Sequence, residues 1–466
     1  MTGPLVFSRR RFLQQAGAFS ALSVAASLDK IGLSAASAQA TDYKALVCVF
    51  LFGGYDSNHV LLPFDGYTAY NTVRSPATGL NIPQTGAGSM LQIAPTNTGG
   101  VRYGLHPSMT QMQALFAQNR LAVVANVGTL VEPLTRTTYR NRTGKAPQQL
   151  FSHSDQQQQF MTTISQASLT GVTGWAGRVA DKVAWMNPPQ ATPMAMSFSG
   201  SQTFGNGTYS KMLALPTAGN FGFTGDSTTA LPGSVAYERA AARSILLGAL
   251  DANQMTQAAQ RTMLGARDAS TKLNPTINSA DGTAIANAFT GVNSGLATQL
   301  RAVARVIRDR ATFGHNREIF FVSIGGWDTH SGQMTGMATN LTQVSQAMAA
   351  FYQATVGLNI ADKVTQFTMS DFNRTFKPNG TGTDHAWGGH HFVLGGAVQG
   401  GKLYGAFPNL ALAGPDDTSS EGRWIPTTSM EQYAATMASW FGVVPADIAQ
   451  IFPNLYRFPT ANLGFV

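Results

Sequence analysis

Four of the eight histidines in this chain lie in two short glycine-rich segments, residues 325–330 and 383–391. Each segment also contains an aspartate, Asp328 or Asp384. Carboxylate oxygens and imidazole nitrogens are the donors that zinc and related divalent ions bind, and neighbouring glycine lets the backbone turn tightly enough to bring such donors together. The two segments therefore predict a metal site. The alternative is that these residues only cap and turn glycine-rich loops.

Three apolar runs of strand length each lead into an aspartate. The runs are residues 45–52, 319–324 and 364–369, and they precede Asp56, Asp328 and Asp371 in that order. Runs without polar alternation fit parallel strands that are covered on both faces. The aspartates would then lie just past the carboxyl ends of the strands, where open α/β sheets place their sites.

The rest of the sequence alternates between strand and helix patterns. Residues 121–127 form another apolar run. Helical patterns cover residues 109–118, 236–264, 296–310, 341–356 and 430–440. This order is typical of an α/β fold with a mostly parallel sheet.

The composition is that of a folded protein with a large core. The chain has 466 residues, of which 44% are hydrophobic and 10% aromatic, and we interpret residues 41–466 as one domain. Residues 197–234 are rich in Gly, Thr, Ser and Asn and poor in charge. They indicate an irregular insertion, which is either a lid near the site or structural decoration.

The N-terminus predicts export. Residues 8–13, Ser-Arg-Arg-Arg-Phe-Leu, match a twin-arginine motif, and residues 38–40, Ala-Gln-Ala, match a small-x-small cleavage site. Residues 1–40 are therefore predicted to be a signal peptide, and the mature protein to be periplasmic or secreted. No later run approaches the roughly 20 apolar residues that a membrane span needs.

Charge and cysteine content restrict the partners. The formal charge is +8, and residues 1–40 carry three of those net positive charges, so the mature chain has +5. We find no basic stripe with interleaved aromatics and expect no nucleic-acid partner. Cys48 is the only cysteine, so there is no internal disulfide. Its apolar neighbours predict a buried strand residue.

Several motifs together resemble the bacterial family catalogued as domain of unknown function 1501, which consists of twin-arginine exported proteins related to the alkaline phosphatase and sulfatase superfamily. The motifs are residues 49–56 (VFLFGGYD), 150–156 (LFSHSDQ), 325–330 (GGWDTH), 370–375 (SDFNRT), 383–385 (TDH) with 394–396 (LGG), and 433–436 (YAAT) with 440–443 (WFGV). The resemblance extends over nearly all of the mature chain.

This resemblance implies an alkaline phosphatase-like three-layer sandwich, with a mostly parallel central sheet, helices on both faces and a metal site at the carboxyl ends of the strands. Asp56 resembles the superfamily's first metal-binding aspartate. Asp328 and His330 look like its late ligand pair, Asp371 like a further carboxylate ligand, and His385 like the remaining imidazole. The implied cofactor is a divalent metal ion, zinc in the first place, with the number of ions left open.

A site of this kind would hydrolyse a phosphate or sulfate ester. The superfamily normally uses a serine or threonine hydroxyl as nucleophile, and Ser152 is the candidate because a helix N-terminus there would favour an anionic group. Ser154 is the runner-up, and the alternative for Ser152 is a plain helix N-cap. His153 is interpreted as a general acid or base, or as a donor to a bound oxyanion. Asp155 is either a ligand or the carboxylate that orients His153.

Other polar residues extend the candidate site. Arg374 and Lys377 are candidates for contact with a substrate anion, and a salt bridge at the rim is the alternative. Asp384 lies in the glycine-dense residues 381–401, whose histidines favour a functional loop. If a strand follows this loop, alternation aims only one of its two adjacent histidines at the site, and we favour His390.

The sequence also departs from better-known superfamily patterns. Zinc phosphatases and their mutase relatives generally space the late ligands as Asp-x-x-x-His and follow them with Asp-His. Here a single residue separates Asp328 from His330, and phenylalanine follows Asp371, which puts a second metal site in doubt. No Cys/Ser-x-Pro-x-Arg motif surrounds Ser152 or Cys48, which disfavours a formylglycine sulfatase.

Three functions from different classes fit these patterns. The leading hypothesis is an exported metal-dependent hydrolase that acts on a small phosphate or related ester. The second is a non-catalytic envelope protein that keeps the fold and binds a partner or polymer. The third is a carbohydrate- or polymer-binding surface protein that uses the insertion and exposed aromatics such as Trp387. Bound metal together with turnover of an aryl phosphate would separate the first from the others.

Overall fold

The computed structural model describes residues 42–165, 172–188, 192–223, 231–249 and 253–466. The predicted signal peptide, residues 1–40, lies outside this part of the chain. No helix in the described ranges is long and apolar enough to cross a membrane.

Twelve β-strands are found in the described ranges. They are β1 (Lys44–Leu51), β2 (Leu61–Pro63), β3 (Leu91–Ile93), β4 (Tyr103–Leu105), β5 (Leu121–Gly128), β6 (Ala195–Ser197), β7 (Leu213–Ala214), β8 (Arg317–Ile324), β9 (Val364–Ser370), β10 (Gly389–Gly395), β11 (Leu403–Tyr404) and β12 (Thr428–Ser429). Nine of them form one sheet in the order β11-β5-β10-β9-β1-β8-β6-β7, with β12 also paired to β5. The strands β2, β4 and β3 form a separate small sheet.

In the described ranges the α-helices lie between these strands along the chain, except for the last two, which follow β12. They are α1 (Tyr67–Val73), α2 (Thr110–Ala117), α3 (Arg136–Arg140), α4 (His153–Thr162), α5 (Trp175–Val183), α6 (Val235–Gly248), α7 (Gln254–Ile277), α8 (Gly282–Ala288), α9 (Gly295–Arg308), α10 (Arg310–Phe313), α11 (Gln333–Gly357), α12 (Met430–Phe441) and α13 (Pro445–Ile451).

The large sheet is covered by helices on both faces, and β1 shows this residue by residue. Val47 and Val49 belong to an apolar core shared with α9 and α11. Cys48 and Phe50 point the other way, into a core shared with α5 and α12. Full burial of side chains as large as Val or Phe stabilises the fold by about 1.5–3 kcal/mol each. The prediction of a mixed α/β fold with a mostly parallel sheet and a buried Cys48 is therefore confirmed.

The central strands end at the same edge of the sheet. β1 pairs in parallel with both β8 and β9, and Leu51 is level with Ile324 and Ser370. β10 is antiparallel to β9 and begins at this same edge, where Gly389 is level with Val127 of β5. The loops that follow β1, β8 and β9, and the loop that precedes β10, therefore meet.

Two helix predictions differ from the structure. The single helix expected over residues 236–264 is divided into α6 and α7. Asn253 begins α7 because its side chain accepts hydrogen bonds from the backbone N–H groups of Met255 and Thr256. The helix expected over residues 341–356 starts eight residues earlier, at Gln333. Of the insertion, residues 197–223 and 231–234 are described, and they contain only short regular elements.

Candidate metal centre

Three side chains from distant parts of the sequence direct their donor atoms to one point. These are His153, Asp328 and His385, whose ligand atoms all lie within 4.8 Å of one another. The two Nε2 atoms are 3.1 Å apart, and Asp328 Oδ1 lies 3.5 Å from His153 Nε2 and 3.4 Å from His385 Nε2. Tetrahedral zinc with bonds of about 2.0–2.1 Å holds its ligand atoms about 3.3–3.4 Å apart. The observed spacing fits one such ion.

His330 supplies a further nitrogen donor beside these three side chains. Its Nε2 lies 3.1 Å from Nε2 of His385 and 3.2 Å from Oδ1 of Asp328. Its side chain is 46% exposed and that of Asp328 is 48% exposed, so these two residues form the solvent-facing side of the group. We call His153, Asp328, His330 and His385 the donor cluster. Its nitrogen and carboxylate donors are the types that zinc prefers.

An oxygen acceptor holds the second ring nitrogen of each histidine. Nδ1 of His153 is 2.7 Å from Asp371 Oδ2, and Nδ1 of His330 is 3.1 Å from Asp384 Oδ1. Nδ1 of His385 is 2.7 Å from the carbonyl oxygen of Phe151. Such acceptors fix the Nδ1–H tautomer and leave the Nε2 lone pair for a metal ion, as carboxylates and carbonyls do around zinc-binding histidines.

The backbone before α4 brings Phe151 and His153 to the cluster. Gln149 and Phe151 have left-handed φ angles of 49° and 72°, which are uncommon outside glycine. This turn directs the Phe151 carbonyl to His385 and makes His153 the first residue of α4. Strain of this kind persists where the surrounding contacts fix it, and it is frequent at functional sites.

Glycine is required where the loop after β1 passes the cluster. Gly53 has a φ of +121°, and a Cβ atom built on it would lie 2.6 Å from the backbone nitrogen of Asp328. The Gly53 N–H also donates to Asp371 Oδ1 at 3.1 Å. A side chain at position 53 would therefore push the loop that carries Asp328 away from the loop that carries Asp371.

The electrostatics around the cluster suit metal binding. Burial lowers the pKa of His385, which favours its neutral form. Burial acts to raise the pKa of Asp328, but the hydrogen bond and charge of Arg374 outweigh this and hold the pKa below its usual value. The hydrogen bond with Asp371 raises the pKa of His153, so an ion would have to displace a proton from this ring. Deprotonated donors of this kind make metal affinity pH-dependent.

Arg374 lies beneath the cluster and is fully buried. Its Nε donates to the carbonyl of Gly54 at 2.8 Å and its Nη1 to the carbonyl of Thr383 at 2.9 Å. Its Nη2 donates to the carbonyl of Gly53 at 2.8 Å and to the Asp328 carboxylate. Each of its nitrogens thus has a protein acceptor. The residue clamps three loops together and pairs with Asp328, so its contacts are nearer to the salt bridge offered as the alternative than to contact with a substrate anion.

Asp56 and Asp371, two of the predicted metal ligands, have other partners. Asp56 is fully buried, and its Oδ2 accepts hydrogen bonds from Arg74 at 2.7 Å and Gln333 at 2.5 Å. It is not among the groups whose donor atoms converge, because its carboxylate faces Arg74 and Gln333 instead of the cluster histidines. Asp371 lies at the site, but it orients His153 and accepts a hydrogen bond from Gln157 at 2.8 Å.

Ser152 is at the N-cap of α4, next to a cluster residue. Its side chain makes no capping hydrogen bond to the helix. The hydroxyl instead donates to Asp155 Oδ2 at 2.6 Å and lies 3.3 Å from Ser154 Oγ. The position is that of an N-cap, as the alternative interpretation predicted, while the hydroxyl is directed at a carboxylate.

The remaining predicted residues are placed as follows. His390 is buried in β10, where its ring stacks on Phe407 with centroids 5.1 Å apart and burial lowers its pKa to about 3. It faces the core and not the donor cluster. Lys377 pairs with Glu421 at 3.3 Å, as the rim alternative predicted. Trp387 is 1% exposed, so the interpretation that used it as an exposed binding aromatic is wrong.

Sequence reasoning missed two roles. His153 was expected as a general acid or base, or as a donor to a bound oxyanion; in the structure one of its ring nitrogens is engaged by Asp371 and the other lies at the cluster. Asp384 had no assigned role, and it orients His330. A signal for His153 existed, because its segment follows β5, whose carboxyl end lies at the same edge of the sheet as those of β1 and β9.

Comparison with known proteins gives a family and remote similarity to solved structures. The sequence model of a family described as "Protein of unknown function (DUF1501)" matches residues 43–421. A comparison with curated proteins found no match. Among solved structures, the chain is similar to one described as "Crystal structure of Ps i-CgsB in complex with k-i-k-neocarrahexaose", at 9% identity and a TM-score of 0.37, over 90% of this chain and 77% of that chain. A likeness this weak indicates nothing about substrate or activity.

Proposed function

This chain belongs to the DUF1501 family, and we propose that it is an exported, metal-dependent hydrolase of a phosphate or related ester. The family description names no activity, so the proposal depends on the site. The observation that carries it is the convergence of His153, Asp328 and His385 within 4.8 Å. In these two histidines and in His330, the Nδ1 atom is held by an oxygen acceptor.

The donor cluster fits a divalent ion, and zinc is the first candidate. Three imidazoles and one carboxylate are a set that binds zinc in proteins. When bound, such an ion polarises the ester oxygens and stabilises the charge that develops on them. The protein itself orients the donors. Asp371, Asp384 and the Phe151 carbonyl fix the imidazole rings of His153, His330 and His385, in that order, without an ion.

Ser152 is the proposed nucleophile. Its Oγ attacks the phosphorus atom and its proton passes to the carboxylate of Asp155 along their 2.6 Å hydrogen bond; the bond from phosphorus to the ester oxygen breaks, and the alcohol leaves with the proton that Asp155 returns. Water then attacks the phosphoserine, which releases phosphate and restores the hydroxyl. The N-terminus of α4 favours an anionic group at this position, because its first backbone N–H groups have no partner within the helix.

The alkaline phosphatase-like sandwich is proposed as the finer description of the fold. It is supported by helices on both faces of a mostly parallel sheet and by a site at the carboxyl ends of the strands. Location in the periplasm or outside the cell is proposed from the twin-arginine motif at residues 8–13. Recovery of the mature chain only from the cytoplasm would count against that location.

The experiment is metal analysis of the purified protein together with turnover of an aryl phosphate. We expect about one bound ion per chain, and loss of turnover on chelation that zinc restores. His385→Ala should lose both metal and turnover. Ser152→Ala should keep the metal and lose turnover by about 100-fold or more.

Ser439→Ala is the matched control, because that hydroxyl bonds only within its own helix, to the carbonyl of Ala435. It should behave as the unaltered protein. A metal-bound protein that hydrolyses no ester of a phosphate and sulfate panel would instead favour the non-catalytic envelope protein. Metal-free, inactive protein from its native compartment would overturn the proposal.

A further inference from the structure

Arg423 contacts His385 of the donor cluster and the neighbouring Phe151. Its Nε donates to the backbone carbonyl of His385 at 2.9 Å. Its guanidinium lies over the ring of Phe151, 5.3 Å from the centroid. One edge and one face of the guanidinium are thereby fixed, next to a cluster histidine and next to the residue that precedes Ser152.

The turn that carries Arg423 is itself rigidly held. Asp417 is fully buried, and its carboxylate accepts backbone N–H groups from Ala413, Ser419, Gly422 and Arg423 at 3.0–3.1 Å. The Asp417 carboxylate is thus occupied by backbone N–H groups and makes no ion pair with the guanidinium of Arg423. The arrangement therefore fixes the position of a cation without neutralising it.

The outer edge of the Arg423 guanidinium is without a protein partner. Among the residues that the structure describes, neither Nη1 nor Nη2 has an acceptor, and no carboxylate lies within ion-pair distance. The buried arginines nearby differ, since Arg374 pairs with Asp328 and Arg74 pairs with Asp56. A half-buried guanidinium gains from an anion that fills this edge, because both terminal nitrogens can donate to one oxyanion in parallel.

We infer that Arg423 binds an oxyanion of the substrate, through its two terminal nitrogens, while the ester is held at the donor cluster. This inference rests on the proposed function and assigns recognition of the phosphate or sulfate oxyanion to a named residue. It moves the role of anion recognition from Arg374, whose nitrogens already have acceptors, to a residue that sequence reasoning did not single out. Lysine at this position would keep a charge but lose the paired geometry and the contact with the Phe151 ring.

The experiment compares Arg423→Gln and Arg423→Lys with the control Arg120→Gln. Arg120 is exposed at the opposite edge of the sheet, where it donates to the Gly396 carbonyl at 3.0 Å. The readouts are zinc content, the Kd for inorganic phosphate of the zinc-loaded protein by calorimetry, and KM and kcat for an aryl phosphate. Arg423→Gln should weaken phosphate binding about 10- to 100-fold and raise KM more than it lowers kcat. Zinc content should not change.

A second measurement covers a variant that fails to fold. In the unaltered zinc-loaded protein, inorganic phosphate should protect Arg423, but not Arg120, from an arginine-selective dicarbonyl reagent, as read by peptide mass spectrometry. Equal modification with and without phosphate would overturn the inference.

The outcomes for the inference and for the proposed function are distinct. If the unaltered protein hydrolyses the ester and Arg423→Gln binds phosphate with unchanged affinity, the inference is wrong and the hydrolase proposal stands. If phosphate binding depends on Arg423 but no ester is cleaved, the anion site stands and the hydrolase proposal is wrong. Failure of the zinc-loaded protein to bind phosphate at all would also overturn the inference.

Discussion

At the donor cluster, the carboxylate of Asp371 accepts hydrogen bonds from His153, from Gln157 and from the backbone of Gly53. It is fully buried, so these three donors together offset the cost of keeping a charge away from water. Its contribution to a metal centre is therefore to orient one imidazole and to keep the loop after β1 in contact with the loop after β9.

We expect Asp371→Asn to lower zinc affinity by about 10- to 100-fold, the usual effect of removing a carboxylate behind a ligating histidine. The amide keeps the size of the side chain but holds the ring of His153 less strongly. Competition with a chromophoric chelator measures the change. Asp362→Asn, at a surface residue paired with Lys363, is the control. Equal zinc affinity in all three proteins would mean that Asp371 does not act through a metal ligand.

Much of the candidate site could be predicted from residue types, and the failures have physical causes. Asp328, His330 and His385 follow from aspartate and histidine in glycine-rich loops at strand ends. Asp56 satisfies the same rule, yet its side chain is directed to Arg74 and Gln333 and not to the cluster, and the spacing of the sequence does not predict that direction. The sequence did not place His153 with the candidate ligands, because a metal ligand and a general base are the same residue type and only the distances bring it to the cluster.

At the scale of single elements, α12 carries a buried acid in its first turn. Glu431 is 2% exposed and accepts hydrogen bonds from the backbone and side chain of Asn454, both at 2.9 Å. Burial raises its pKa from 4.5 to about 7, although these hydrogen bonds and the charge of Arg178 act to lower it. The folded protein therefore keeps this proton where the unfolded chain has lost it.

The raised pKa of Glu431 makes the free energy of unfolding depend on pH. Between pH 4.5 and 7 the folded state binds more protons at Glu431 than the unfolded state, so the free energy of unfolding falls as the pH rises, by about 3 kcal/mol in all. Glu431→Gln should abolish this part of the pH dependence, whereas Glu238→Gln, in the first turn of α6, should keep it. Denaturant unfolding at several pH values measures it. Parallel curves for the Glu431 variant and the unaltered protein would contradict the assignment.

Strands were predicted more accurately than helices, for a reason visible in the elements themselves. The apolar runs at 45–52 and 364–369 became β1 and β9 because strands buried on both faces leave no polar alternation to misread. The helical pattern over residues 236–264 contained Gly248 and Asn253, a stop and a cap signal. The prediction of one continuous helix used the hydrophobic periodicity alone and gave no weight to these two residues.

At the scale of the whole molecule, the donor cluster joins three segments that only the tertiary fold brings together. His153 begins α4, Asp328 follows β8, and His385 precedes β10. Unfolding the chain separates these donors, so a bound ion stabilises the native state by mass action.

We therefore expect zinc to raise the Tm of the metal-free protein. At a free zinc concentration about 100 times the Kd, the gain is about 2.7 kcal/mol in the free energy of unfolding. Differential scanning calorimetry with zinc and with a chelator measures it. His385→Ala should show no such shift, and an equal shift in that variant would locate the ion elsewhere.

The central position of β1 has a consequence for the time course of synthesis. Ala45 pairs with Val364, which leaves the ribosome 319 residues later, and at about 5–20 residues per second this takes roughly 15–65 seconds. On its other edge Ala45 pairs with Glu318 of β8, which is synthesised 273 residues later, so one edge of this apolar strand stays open for the whole interval and the other for most of it. Until β8 and β9 are made, the open edges of this strand can pair with other nascent chains, so synthesis of the C-terminal half protects the N-terminal strand from aggregation.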